Sequence, residues 1–147
     1  MRFKLNENDL SRKDYINFFK FVCDKVVGNK FEFSKIEKVN NAIRYTYTRD
    51  AGKDIDIVSF DVKQNNERTL SRIYVKLFTS EPSARKRFVI NNLVNLRMFY
   101  VYGAQYTYNI DVQEDTYDAH VEHNLEFSNG FPIAEILRGE EWNSRHY

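Results

Sequence analysis

Residues 41–63 read NAIRYTYTRDAGKDIDIVSFDVK, and this stretch decides the fold. Ile43, Tyr45 and Tyr47 alternate with Arg44, Thr46 and Thr48. Val58, Phe60 and Val62 then alternate with Ser59, Asp61 and Lys63. A period of two places the apolar members of an extended segment on one side and the polar members on the other. Between the two runs, Asp50-Ala51-Gly52-Lys53 supplies turn residues. The stretch therefore reads as an antiparallel hairpin with one apolar face and one polar face.

The same pattern continues on both sides. Upstream, Phe31 and Phe33 share a face, and Asn40-Asn41 forms a tight turn because Asn tolerates positive φ. Downstream, Asn65-Asn66 turns the chain, and Ile73, Val75 and Leu77 alternate with Arg72, Tyr74 and Lys76. These runs make a four-strand meander. Further on, Tyr106, Tyr108, Ile110 and Val112 alternate with Gln105, Thr107, Asn109 and Asp111. Val121, His123, Leu125 and Phe127 alternate with His120, Glu122, Asn124 and Glu126. Asn129-Gly130 reads as a turn after them, and Pro132 as the opening of a short helix ending near Gly139.

Two longer helices frame the meander. In the first, Ser11 caps, Asp14 follows three residues on, and Leu10 staples onto Tyr15. Tyr15, Phe19, Val22 and Val26 form its apolar stripe, and Gly28 stops it. The second starts at Ser80-Glu81-Pro82, since Pro is tolerated in the first turn, and buries Val89, Leu93, Leu96 and Tyr100. The expected architecture is α+β, in the order α-ββββ-α-ββ(β)-α. An antiparallel sheet of about six strands carries the two main helices on one face. Residues 1–147 form one domain, with a short polar tail from about residue 139.

Composition bounds the function. Apolar residues make up 42% and aromatic residues 16%, enough burial to rule out a disordered chain. The net charge of +1 gives no global field toward nucleic acid or an acidic surface, so such a partner needs a local patch. Cys23 is the only cysteine, which excludes an internal disulfide and a cysteine-rich zinc site. It falls between Val22 and Val26 and reads as a small buried hydrophobe. The N-terminus has no apolar core of signal-peptide length, and no apolar run approaches the roughly 18 residues of a membrane span. No membrane contact and a cytoplasmic location are expected. Asn, Lys, Ile, Phe and Tyr are abundant while Ala, Gly and Pro are scarce. That bias follows AT-rich codons, as in many phages and low-GC bacteria, and would place a phage-encoded protein in a host cytoplasm.

Three surfaces stand out. The polar sheet face presents Asp61, Lys63, Arg72, Tyr74, Lys76, Asp111, His120 and Glu122 if the strands lie side by side. Asp61-Val62-Lys63 has the acid-x-lysine spacing with which metal-dependent nucleases offset phosphate charge, and Glu122 would add a second carboxylate. The competing reading is a solvated face with cross-strand charge pairs. Arg85, Lys86 and Arg87 form a basic run at the start of the second helix, suited to an anion or an acidic partner. Arg72, Tyr74 and Lys76 interleave cations with an aromatic ring, which suits single-stranded nucleic acid. The third feature is the aromatic surplus. Phe18 and Phe21 lie off the main stripe of the first helix, Tyr102 flanks Gly103, and Trp142 stands in the polar tail. Rings left outside a core favour a protein interface.

Several chemistries lack support. His120 and His123 would sit on opposite faces of a strand, so they cannot grip one metal ion. There is no Gly-x-Ser-x-Gly nucleophile motif, and 5 glycines leave no Gly-rich phosphate loop. No catalytic residue, metal or cofactor is expected. The leading expectation is a non-enzymatic protein–protein interaction module, an assembly component or an inhibitor of a larger protein, with homo-oligomerisation open. A nucleic-acid binder and a nuclease using Asp61, Lys63 and Glu122 are its rivals.

Overall fold

The computed structural model describes residues 12–64, 68–95, 108–115, 120–131 and 133. The Leu10 staple and Ser11 cap, the Asn65-Asn66 turn, Leu96 and Tyr100, the strand start at 105–107 and the helix from Pro132 to Gly139 lie outside the described residues, Ile133 apart. The elements are α1 (Arg12–Val26), β1 (Glu32–Val39), β2 (Ala42–Ala51), β3 (Asp54–Lys63), β4 (Leu70–Phe78), α2 (Pro82–Asn95), β5 (Tyr108–Asp115) and β6 (His120–Phe131). The fold is α+β. Its antiparallel sheet has the order β1-β2-β3-β4-β6-β5, so the meander is followed by a crossover through α2 to the far edge, and β6 returns between β4 and β5.

Register explains why one face is greasy. Tyr45 pairs with Phe60, Phe60 with Ile73, and Ile73 with Leu125. Tyr47, Val58, Val75 and His123 form the next row. All of these residues are buried, and all but His123 belong to one core cluster with the apolar side of α1. Phe19 stacks on Phe60 with centroids 4.3 Å apart and planes 9° apart. Tyr45 packs against both Phe19 and Tyr15, at 5.3 and 5.8 Å. Tyr47 meets Phe60 edge-on and donates its hydroxyl to the Ile16 carbonyl, tying β2 to the helix backbone. Cys23 is fully buried here, and burial pushes its thiol pKa up, which removes it as a nucleophile at ordinary pH.

α1 ends where Gly28 predicts. The Val27 and Gly28 amides both donate to the Cys23 carbonyl, and Gly28 adopts φ 136°. This Schellman-like stop lets the chain drop Phe31 into the core. Phe33 does not follow it: the chain is bulged between Phe33 and Lys35, and Phe33 is left 38% exposed against Tyr47. At the same end, Arg49 and Asp56 stand on the inner side of the hairpin. Arg49 reaches Asp56 Oδ2 at 2.7 Å, donates to the Asn29 carbonyl at 3.1 Å and lies 4.3 Å from the Phe31 ring. Asp56 Oδ1 accepts the Phe78 amide at 2.9 Å. A charged pair thus closes the lower end of the core with its hydrogen bonds satisfied.

One expected turn is corrected. Asn129-Gly130 does not reverse the chain; β6 continues through it to Phe131. Leu70 pairs with Phe131 and Arg72 with Glu126, so β6 carries extra residues between those positions. The bulge needs Gly130, which sits at φ 75° and leaves no room for a Cβ, which would lie 2.4 Å from Thr69 Oγ1. The Asn-Gly pair is a backbone-geometry signal, and a strand bulge uses the same left-handed conformation as a turn.

Because Phe19 holds α1 to two rings of the sheet, Tyr45 and Phe60, Phe19→Ala is expected to cost about 3–5 kcal/mol of stability. Urea denaturation should show a lower midpoint with an unchanged slope. A loss under about 1 kcal/mol would mean that α1 is not held through this ring.

Candidate functional site

The polar side of the sheet rests on the same register, one residue out of phase. Arg44, Asp61, Arg72 and Glu126 form one row; Thr46, Ser59, Tyr74 and Asn124 the next; Thr48, Ile57, Lys76 and Glu122 a third. Asp61, Arg72, Tyr74, Lys76 and Glu122 therefore do share a face. Their side chains, however, are turned toward one another. Arg44 holds both oxygens of Asp61, at 2.8 and 3.0 Å, as a bidentate fork. Arg72 donates to the Asn124 side-chain oxygen and lies 5.1 Å from the Tyr74 ring centroid. Tyr74 donates to Glu122 Oε1, and Lys76 approaches the same oxygen at 4.0 Å. Asn124 passes a further bond to Glu126. The centre of the face is closed by this cross-strand network, with Thr46, Ser59 and Asp61 buried beneath the longer side chains.

This geometry bears on the nuclease reading. Glu122 is two strands and four residues from the Asp61 row, roughly 16 Å by strand spacing and rise. Asp61 spends both lone-pair edges on Arg44. Asp56, the other buried acid of β3, lies on the opposite face with Arg49. Among the described residues, no group of three or more His, Cys, Asp or Glu side chains could hold a metal ion. Lys63 is exposed at the end of β3, and no ion pair joins it to Asp61. The register of β6 sets His123 beside Val75, inside the core, and His120 beside Phe78, on the polar side.

The basic run falls on α2. Pro82 is the first helical residue, and the Arg85 amide donates to the Glu81 carbonyl. Val89 is fully buried, so the helix faces the core through that side. Arg87 and Phe88 point away from it; Phe88 is 48% exposed, with the Arg85 guanidinium 6.0 Å from its ring. The first turn of α2 contains no acidic residue. Phe88 was not singled out by the sequence pattern, because its period fits neither stripe; its place next to three cations is the signal.

The partner-binding rings fare differently. Phe18 is fully buried, edge-on to Phe19, and belongs to the core rather than to a surface. Phe21 is partly buried against the core, with Lys25 over its ring at 5.5 Å. Tyr102 and Trp142 lie outside the described residues. Among the described residues, no helix is long and apolar enough to cross a membrane. Comparison with protein-family models, curated proteins and solved structures finds no match.

Three tyrosines should set the alkaline limit of the fold. Burial, reinforced by the hydrogen bond to Glu122, pushes Tyr74 up to about 12. Burial also pushes Tyr45 up to about 12 and raises Tyr47 further. A folded pKa above the unfolded value of about 10 means that the stabilisation is complete below pH ~10 and is lost as pH climbs through ~12. Absorbance titration should show these phenols, among the 10 tyrosines of the chain, ionising late and together with unfolding. Ionisation of every tyrosine near pH 10 with the fold intact would contradict this packing.

Proposed function

We propose that the protein is a non-enzymatic interaction module that works by protein–protein contact, as an assembly component or as an inhibitor of a larger protein. The observation that carries this reading is Phe88. A half-exposed phenylalanine on a helix surface, set against Arg85 and followed around the helix by Arg87, joins an apolar anchor to cationic donors. That pairing matches the chemistry of interface hot spots, where a ring fills a pocket and arginine engages a carboxylate rim. The partner is then a protein with an apolar pocket edged by acidic residues. The polar sheet face supports this reading indirectly, since its charges are engaged within the chain. The AT-rich composition favours a phage or mobile-element source, with the partner in the host cytoplasm.

Affinity capture from host lysate with wild-type and variant protein tests the reading. Phe88→Ala and Arg87→Glu should both lose one and the same partner, while Phe33→Ala, which alters an exposed ring on the edge strand, retains it. Identical capture by all four proteins would overturn the assignment of α2 as the contact surface.

A further inference from the structure

A second surface lies at the end of the sheet that carries the β1–β2 turn. Two adjoining open cavities meet there, and Gln64 lines both. The first, about 210 Å³, is bounded by Arg12, Tyr15, Ile43, Tyr45 and Arg68 as well. The second, about 520 Å³, is bounded by Lys38, Asn40, Asn41 and Lys63. The larger compartment falls within the range of roughly 300–1,000 Å³ typical of small-ligand clefts.

The lining has one electrostatic sign. Two guanidinium groups and two ammonium groups border the groove, and among the described residues no carboxylate lines either compartment. Neither Lys38 nor Lys63 forms an ion pair with a described residue. Arg12 and Arg68 both border the compartment that Tyr45 also lines. The amides of Asn40, Asn41 and Gln64 add neutral donors between the cations. The positions are also built in. Asn40 and Arg68 both hold left-handed backbone, φ 54° and 48°, and that conformation is unfavourable for arginine unless its surroundings fix it. Two hydrogen bonds lock the rim: Gln64 N–H to the Asn41 carbonyl at 3.0 Å, and Lys63 N–H to the Thr69 carbonyl at 2.8 Å.

We infer that this groove binds a ligand bearing two or more linked phosphate groups, one held by the arginine compartment and the next by the lysine compartment. Arginine presents a fork that matches phosphate oxygens, and lysine supplies compact charge beside it. Tyr15 and Tyr45, the rings among the described lining residues, are almost wholly buried, so neither offers a face on which a base could stack. Recognition is thus of the phosphate chain itself, whether it belongs to a free oligophosphate or to a nucleic-acid backbone. The site shares no residue with the α2 surface and stands or falls without it.

Isothermal titration with inorganic tripolyphosphate tests the inference on the full chain. One-to-one binding is expected, weakening as salt rises. Arg12→Ala and the double variant Lys38→Ala/Lys63→Ala should each lose at least about tenfold in affinity, since each removes a charged contact of over ~1.4 kcal/mol. Lys53→Ala, at the β2–β3 turn on the opposite end of the sheet, should leave binding unchanged. A parallel arm uses a single-stranded oligonucleotide. Its displacement by tripolyphosphate assigns the groove to phosphate backbone, and absence of oligonucleotide binding assigns it to free oligophosphate. No binding of tripolyphosphate by the wild type, or an equal loss in the Lys53→Ala protein, would overturn the proposal.

Discussion

The structure depends on the docking of α1 against the centre of the sheet through stacked rings. Phe19 lies flat on Phe60, and Tyr15, Tyr45 and Tyr47 surround that stack. Aromatic rings bury large areas and restrict the angle at which they meet, so they fix the helix position more closely than aliphatic packing would. The Tyr47 hydroxyl on the Ile16 carbonyl adds a directional bond at the same place. Once α1 is held there, its first residues arrive at the β1–β2 turn and its last residues at the Arg49–Asp56 pair. Both ends of the domain are organised by one helix–sheet contact.

That arrangement divides the surface by role. The polar sheet face looks chemically rich as a row of residues, yet its groups are spent on one another in Arg44–Asp61, Arg72–Asn124 and Tyr74–Glu122. Such pairs are worth little individually in partly exposed positions, but together they satisfy the polar groups of this face. α2 keeps an exposed ring among cations, and the open end of the sheet gathers four cations around a groove. These two places are the candidate contact surfaces among the described residues.

Much of the fold was legible because period-two alternation is a strong signal. The four-strand meander, the Asn40-Asn41 turn, the Gly28 stop and the Pro82 start all follow from local chemistry. The insertion of β6 between β4 and β5 was not legible, because alternation states which face a residue takes and says nothing of which strand lies beside it. Asn129-Gly130 misled for a related reason: the dipeptide announces positive φ, and a bulge uses that as readily as a turn. Phe18 was misassigned because a narrow helical stripe underestimates how wide a face α1 buries under an aromatic sheet. Arg49 and Asp56 were invisible as a pair, since inner-face charges contradict the pattern until register brings them together. The groove was hidden most deeply. Arg12, Lys38, Lys63 and Arg68 come from four separate segments, and only the closure of the sheet end assembles them.

The central claim is that the protein acts through α2 while the polar sheet face serves the fold alone. Site-specific photo-crosslinking in the producing host tests it most directly. A photoreactive phenylalanine analogue is placed at Phe88 in one protein and at Tyr74 in another. The account predicts a discrete protein adduct from position 88 and none from position 74. A discrete adduct from position 74, with none from position 88, would contradict it.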